Sequence, residues 1–276
     1  MSIMFFKVRS VSRAKGGNAV AKSAYISREK IVDHRNNQAH DYRRTPGLQH
    51  SEIFVPGTLS QQAREWAADR TQLWNAAEAA ERRVNSRVGR EYTIALPHEL
   101  GPEVRRELAR DFARGISDRY GVAVDLAVHG PTRRGDPRNH HMHVLASTRE
   151  LTEDGFGAKA TMELSSDRRR MLGLSHVTVE YKDLRKMWAG LANERLLEAA
   201  VDQRLEPRSR ASLMRSAAEN AAEMALQTDG DSSLVAVQRR GVDRWLALRQ
   251  ERELGQSQGR SVGRDLVRNL DNALEL

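Results

Sequence analysis

The chain has 276 residues, 39% hydrophobic and 30% charged, with a formal net charge of +8 and no cysteine. Such a composition fits a packed core under a heavily charged surface, as one large or two modest domains, and excludes disulfide scaffolds, zinc knuckles and thiol nucleophiles. No stretch reaches the roughly 20 apolar residues of a membrane span, and Met4, Phe5 and Phe6 meet Lys7 and Arg9 too soon for a signal peptide, so a soluble, cytoplasmic protein is expected.

Charge is unevenly spread. From Glu206 onward there are 11 Arg, no Lys, and 11 Asp plus Glu, so this tail is neutral and the whole excess lies in residues 1–205. A basic N-terminal region suits a polyanionic partner such as nucleic acid, through phosphate neutralisation and counterion release. A merely soluble basic surface is the simpler alternative.

Residues 4–8 alternate like a strand, and 12–18, with Gly16 and Gly17, read as a turn into a helix capped near Asn18. That helix is expected to run through Ala19, Ala21, Ala24 and Tyr25 to about Lys30. Residues 32–47 are polar and rich in His, Asn and Arg, which predicts a long basic loop; 52–55 follow as a short strand. Helical periodicity holds over 59–88, divisible into two helices that bury Trp66, Leu73, Trp74 and Ala77. A strand at 91–96 ends at Pro97, and a helix follows over 102–120. Residues 122–129 alternate strictly, 141–147 form the next strand, a loop carries Gly155 and Gly157, and a long helix spans 179–204. The remainder has a helical Ala/Leu/Arg pattern broken near 229–233 and 255–263. The short connection from His129 to His141 favours an antiparallel pair, because parallel crossovers usually carry a helix. The expected fold is α+β: a central, antiparallel-type sheet of about five strands flanked by helices, with a helical C-terminal extension.

The chemistry concentrates on two strands. Side chains two apart on a strand share a face, so Ala123, Asp125, Ala127 and His129 oppose the apolar row Val122, Val124, Leu126 and Val128. In the next strand His141 and His143 share a face, with Met142 and Val144 on the other. If both apolar rows meet one helix layer, His129, His141 and His143 emerge together, and three neutral imidazoles form a metal site with open positions. Separate polar or surface histidines are the competing explanation, which holds for His34, His40, His50, His98 and His176. His140 faces away from the pair. An all-imidazole site leaves the ion its full charge, which suits a phosphate-bearing substrate, and imidazole alone admits Mn, Co, Ni, Cu or Zn.

No serine lies in a nucleophile-elbow sequence. Tyr25 sits in a small-residue helix beside Lys22 and Arg28, where cations or a base can assist a phenol that otherwise loses its proton near pH 10. Such a phenol would give a durable aryl phosphodiester; packing of the ring against the core is the competing role. Tyr42, at His40-Asp41-Tyr42-Arg43, has comparable surroundings.

Several motifs in order resemble one family: Gly16-Gly17 before the Ala24-Tyr25 helix, the segment Glu91-Tyr92-Thr93-Ile94-Ala95-Leu96-Pro97, Val128-His129, Asn139 to His143 followed by Val144-Leu145, and Leu184-Arg185-Lys186-Met187-Trp188 leading to 205–209. Over about residues 1–210 the chain resembles a MobA/MobL-type conjugative relaxase, of the endonuclease superfamily named for its histidine–hydrophobe–histidine motif. The resemblance implies a relaxase domain at 1–205 that nicks one strand of a transfer origin (oriT) and later rejoins it, with 206–276 as an extension bearing no motif of the family. It implies that Tyr25 attacks the phosphate and becomes linked to the 5′ end, that His129, His141 and His143 hold Mn2+ or Mg2+, and that Glu91 orients a ligand imidazole or accepts the tyrosine proton. A plain charge at a strand start also fits Glu91. Lys22, Arg133, Arg134 and Arg138 are candidate phosphate contacts, or else solvated charges. Implied partners are single-stranded oriT DNA, relaxosome accessory proteins and a type IV secretion coupling protein, with no membrane insertion and with translocation to the recipient alongside DNA. Two rivals share much of this pattern: a replication initiator that nicks a plasmid origin, and a non-catalytic basic DNA-binding protein with a structural metal.

Overall fold

The computed structural model describes residues 2–208 and helical residues 212, 214–216 and 218–220. The chain divides into two compact units, Met1–Pro207 and Arg208–Leu276. The helical pattern expected beyond residue 220 lies outside the described residues.

The first unit contains β1 (Ser2–Ile3), β2 (Phe6–Ser12), α1 (Ala19–Ser27), β3 (Lys30–Asp33), β4 (Gln38–Asp41), β5 (Leu48–Phe54), α2 (Gln61–Ala68), α3 (Arg70–Ala80), β6 (Arg87–Ala95), α4 (Pro102–Tyr120), β7 (Val122–His129), β8 (His141–Thr152), β9 (Gly155–Lys159), α5 (Ser166–Met171), α6 (Val177–Glu198) and β10 (Leu205–Glu206). Five strands run in the order β2-β6-β8-β7-β5, and β9 pairs with β8 as a sixth. Every pairing in this sheet is antiparallel. The short strands β1 and β10 pair in parallel, apart from it. The fold is therefore α+β with a mostly antiparallel sheet.

Helices cover both faces of the sheet. On one, the apolar row of β7 and its counterparts Tyr92, Ile94, Met142 and Val144 pack on Leu108, Phe112 and Ile116 of α4 and Leu184 and Trp188 of α6. On the other, Ala123, Ala127, Leu145 and Val88 meet Ala19, Val20, Ala24 and Ile26 of α1 and Leu73 and Trp74 of α3. Alternation correctly assigns the two faces of β7, yet all eight of its residues are buried. The alanines on the second face are small enough for α1 to lie close against the strands.

Four local expectations are corrected. Residues 32–47 are not one loop: β3 and β4 form a hairpin, with Ile31 buried and Asn37 at φ 49° in its turn. The Asp33 carboxylate accepts from the backbone N–H groups of Arg35 and Asn36 and from the side-chain amide of Asn18, which fixes the hairpin to the start of α1. Helical structure within 59–88 stops at Ala80, and Arg87 and Val88 already belong to β6. Gly155 and Gly157 lie in β9, where left-handed Gly155 (φ 100°) makes the turn from β8. The last long helix spans Val177–Glu198, not 179–204.

Candidate metal centre and nucleophile

Strand register assembles the site. His129 pairs with His141 and Ala127 with His143, so all three imidazoles stand on the face covered by α1. One nitrogen from each lies within 4.8 Å of the others, and the three ring centroids are 5.0 to 5.5 Å apart. Among the described residues this is the only such cluster, and His34, His40, His50, His98, His140 and His176 take no part in it.

The second nitrogen of each ring is held by an acceptor, which fixes the tautomer. His143 Nδ1 donates to Glu91 Oε1 at 2.9 Å, and His141 Nδ1 to the Asn139 carbonyl at 3.1 Å. His129 Nε2 donates to the Ile26 carbonyl at 2.7 Å, leaving its Nδ1 lone pair toward the cluster. Burial lowers the His129 imidazole to about 3, against the opposing pull of the Ile26 carbonyl. Burial, with His143 beside it, lowers His141 to about 4. Neutral rings with oriented lone pairs are the donor set a divalent transition ion requires, so these residues fit a metal.

Glu91 on β6 lies opposite Leu145, two positions along β8 from His143 and on the same face. Its Oε1 accepts from both His143 and Lys22 Nζ, the latter at 2.8 Å. Burial alone would raise this carboxyl, but the hydrogen bond from His143 and the Lys22 ammonium outweigh it and hold it at about 2.

Tyr25 reaches the cluster from α1. Asn18 caps the helix by accepting from the Ala21 N–H, and the small residues Ala19, Ser23 and Ala24 are buried where it docks on the sheet. The Tyr25 ring meets His143 edge-on at 6.5 Å and Tyr42 at 5.4 Å. Lys22 Nζ lies 5.2 Å and the Arg28 guanidinium 4.6 Å from its centroid, both within cation–π range. The structure thus brings together Tyr25, Glu91, Lys22 and the three histidines. It leaves Arg133, Arg134 and Arg138 exposed on the connection between β7 and β8, whose ends carry His129 and His141. There Arg138 is paired with Asp136 at 2.7 Å.

Sequence reasoning missed the groups that hold α1 in place. Fully buried Asp125, on the histidine face of β7, accepts from Ser23 Oγ at 2.6 Å, Trp74 Nε1 at 3.1 Å and Arg70 Nε at 3.1 Å. Arg70 also binds Glu29 at 2.7 Å. A carboxylate in an otherwise apolar strand was the available signal. At the other end of α1, buried Glu78 accepts from the Ala19 N–H and from Arg13.

Residues 18–222 match the MobA/MobL family. The chain belongs to that family. Among its relatives are a mobilization protein MobL of Acidithiobacillus ferridurans, 32% identical over 76% of this chain and 59% of the relative, and a conjugal transfer protein TraA of Agrobacterium fabrum, 34% identical over 70% of this chain and 17% of the relative. This MobA/MobL chain therefore spans only part of the length of both. A solved structure reported as "Molecular Basis of Vancomycin Resistance Transfer in Staphylococcus aureus" is 31% identical with a TM-score of 0.62, covering 75% of this chain and all of that one.

Proposed function

We propose that this chain is a relaxase that nicks one strand of transfer-origin DNA through a covalent tyrosyl intermediate and later reseals it. The observation that carries the reading is a tyrosine edge-on to a three-imidazole cluster, 6.5 Å from His143, in a chain of the MobA/MobL family. The mobilization and conjugal-transfer names of its relatives support the substrate class.

In this reading residues 1–205 are the catalytic domain and 206–276 an extension. His129, His141 and His143 hold Mn2+ or Mg2+. Such an ion, when bound, polarises the phosphate and offsets charge that develops on it. Tyr25 Oη attacks phosphorus; its bond to phosphorus forms as the P–O3′ bond breaks, and the phenolic proton ends on the released 3′ oxygen. The DNA 5′ phosphate stays on Tyr25, and attack by a 3′ hydroxyl reverses the sequence. Glu91 keeps the His143 ring oriented and anchors Lys22 beside the tyrosine. Lys22, Arg133, Arg134 and Arg138 contact phosphates and position the strand. Glu91 is engaged by His143 and Lys22, and the described cluster contains three ligands with no fourth, which weighs against a closed structural metal site.

The test is incubation with labelled single-stranded transfer-origin DNA and Mn2+. A protein–DNA adduct that survives denaturant and maps to Tyr25 is expected. Cleavage without any tyrosine adduct would show water to be the nucleophile and sink the proposal.

A further inference from the structure

Arg28 sits at the end of α1 with φ 58° and ψ 37°, a left-handed conformation in which glycine is the favoured residue. An arginine held there by the fold points to a use for its side chain. Its guanidinium lies over the Tyr25 ring, and Nη1 donates to the Tyr25 carbonyl at 2.9 Å. The opposite edge is barely engaged. Nε is buried without an acceptor among the described residues, and Nη2 stands 3.5 Å from His129 Nδ1, longer than a strong hydrogen bond. No carboxylate among the described residues forms an ion pair with Arg28, whereas nearby Lys22 is matched by Glu91 and Arg70 by Glu29 and Asp125.

Nε and Nη2 form the side of a guanidinium that binds two oxygens of one anion in a fork. Here that side faces the ligand nitrogen of His129, between the nucleophile and the histidine cluster. We propose that Arg28 is a phosphate-binding residue of this site, whose Nε–Nη2 edge donates to the nonbridging oxygens of the scissile phosphodiester and fixes it for attack by Tyr25. The proposal rests on the nuclease reading given above. When His129 Nδ1 serves as a ligand, Nη2 loses its one weak acceptor and both donors turn to the phosphate. The protein carries the donor pair in place beforehand, so little reorganisation accompanies the reaction.

The experiment compares full-length wild type, Arg28→Gly and Arg28→Lys on single-stranded oligonucleotides tiling the DNA that flanks the chain's own gene, with Mn2+ binding measured separately by calorimetry. Glycine suits the left-handed backbone, so Arg28→Gly is expected to fold and to melt no lower than wild type. Its kcat should fall about 100-fold, the scale of losing one preorganised oxyanion donor, with KM within about threefold. Lysine keeps the charge without the fork and should regain less than tenfold. Mn2+ should bind Arg28→Gly at least as tightly as wild type, because a neighbouring cation has gone. If wild type forms the adduct and either variant cleaves with unchanged kcat, the proposal is overturned while the nuclease reading stands. Loss of Mn2+ binding in Arg28→Gly also overturns it, by assigning Arg28 to support of the histidines. Should Arg28→Gly not fold, Arg28→Lys decides by the same kcat criterion. Absence of an adduct in wild type with any metal removes the underlying reading, and this proposal with it.

Discussion

Replacing Asp125 by asparagine separates the positioning of α1 from the chemistry proposed for Tyr25. Asp125 is fully buried and accepts from Ser23 of α1, Trp74 and Arg70 of α3. Asparagine keeps the shape but loses the charge and half of the accepting capacity, since its amide nitrogen can only donate. Arg70, whose side chain is 12% exposed, then keeps Glu29, which is 43% exposed, as its one carboxylate partner among the described residues. Removing one member of a buried ion pair costs about 3–5 kcal/mol, and the surviving Glu29 contact places this case near the lower end, at about 3 kcal/mol. For a chain of this size that corresponds to a fall in Tm of roughly 6–12 °C. Ser23→Ala removes one hydrogen bond and should cost about 1 kcal/mol. Because both residues serve one contact, the double variant should cost less than the sum of the two. Differential scanning calorimetry on the four proteins measures these terms, and adduct formation below the melting range measures the functional consequence. A fall in Tm of less than about 2 °C for Asp125→Asn would show that the network does not hold α1 to β7, and the reasoning would fail.

Other outcomes follow from the same geometry. Tyr25→Phe removes one hydroxyl and leaves the edge-on contacts, so DNA affinity and its salt dependence should persist while the adduct disappears; an adduct on Tyr42 in that variant would assign the attack to the other tyrosine of this edge-on pair. Chelation should abolish adduct formation and Mn2+ restore it, and His143→Ala should weaken Mn2+ binding measured by calorimetry without lowering Tm by more than about 3 °C; full activity in metal-free buffer would contradict this. Acid should destabilise the fold. Burial opposes ionisation of Asp33, Glu81 and Glu180, but hydrogen bonds from Asn36, Lys159 and Arg169 respectively outweigh it, so all three carboxyls lie below their ordinary values. Carboxyls depressed in the folded state stabilise it fully above the ordinary range of about 4 and lose that contribution as pH falls through their folded values. Tm should therefore be flat through the weakly acidic range and drop below about pH 4.5; a flat profile down to pH 3 would refute the assignment.

Local periodicity defines the pieces whose information spans only a few residues. Strict alternation in 122–129 defined β7 and its two faces, the spacing of Leu108 and Phe112 defined α4, and the parity of His129, His141 and His143 placed all three on one face. These follow from the fixed periods of strand and helix, which act over a few residues. Capping at Asn18 was legible for the same reason. The structure alone decided what pairs across distance. Glu91 meets His143 because β6 and β8 are neighbours in register, a relation set by sheet assembly 52 residues apart. The 30–41 hairpin hid in a polar stretch because it rests on contacts of buried Asp33 and one buried apolar side chain, Ile31, with no apolar alternation to announce it. In the sequence Asp125 is one carboxylate on the face opposite the apolar row; it is a buried junction because α1 and α3 close over that face. Arg28 had no local signature either, since its left-handed backbone and its place between Tyr25 and His129 arise only once α1 has docked on β7. Periodicity assigns a side chain to a face, but what covers that face is settled by packing between elements far apart in the chain.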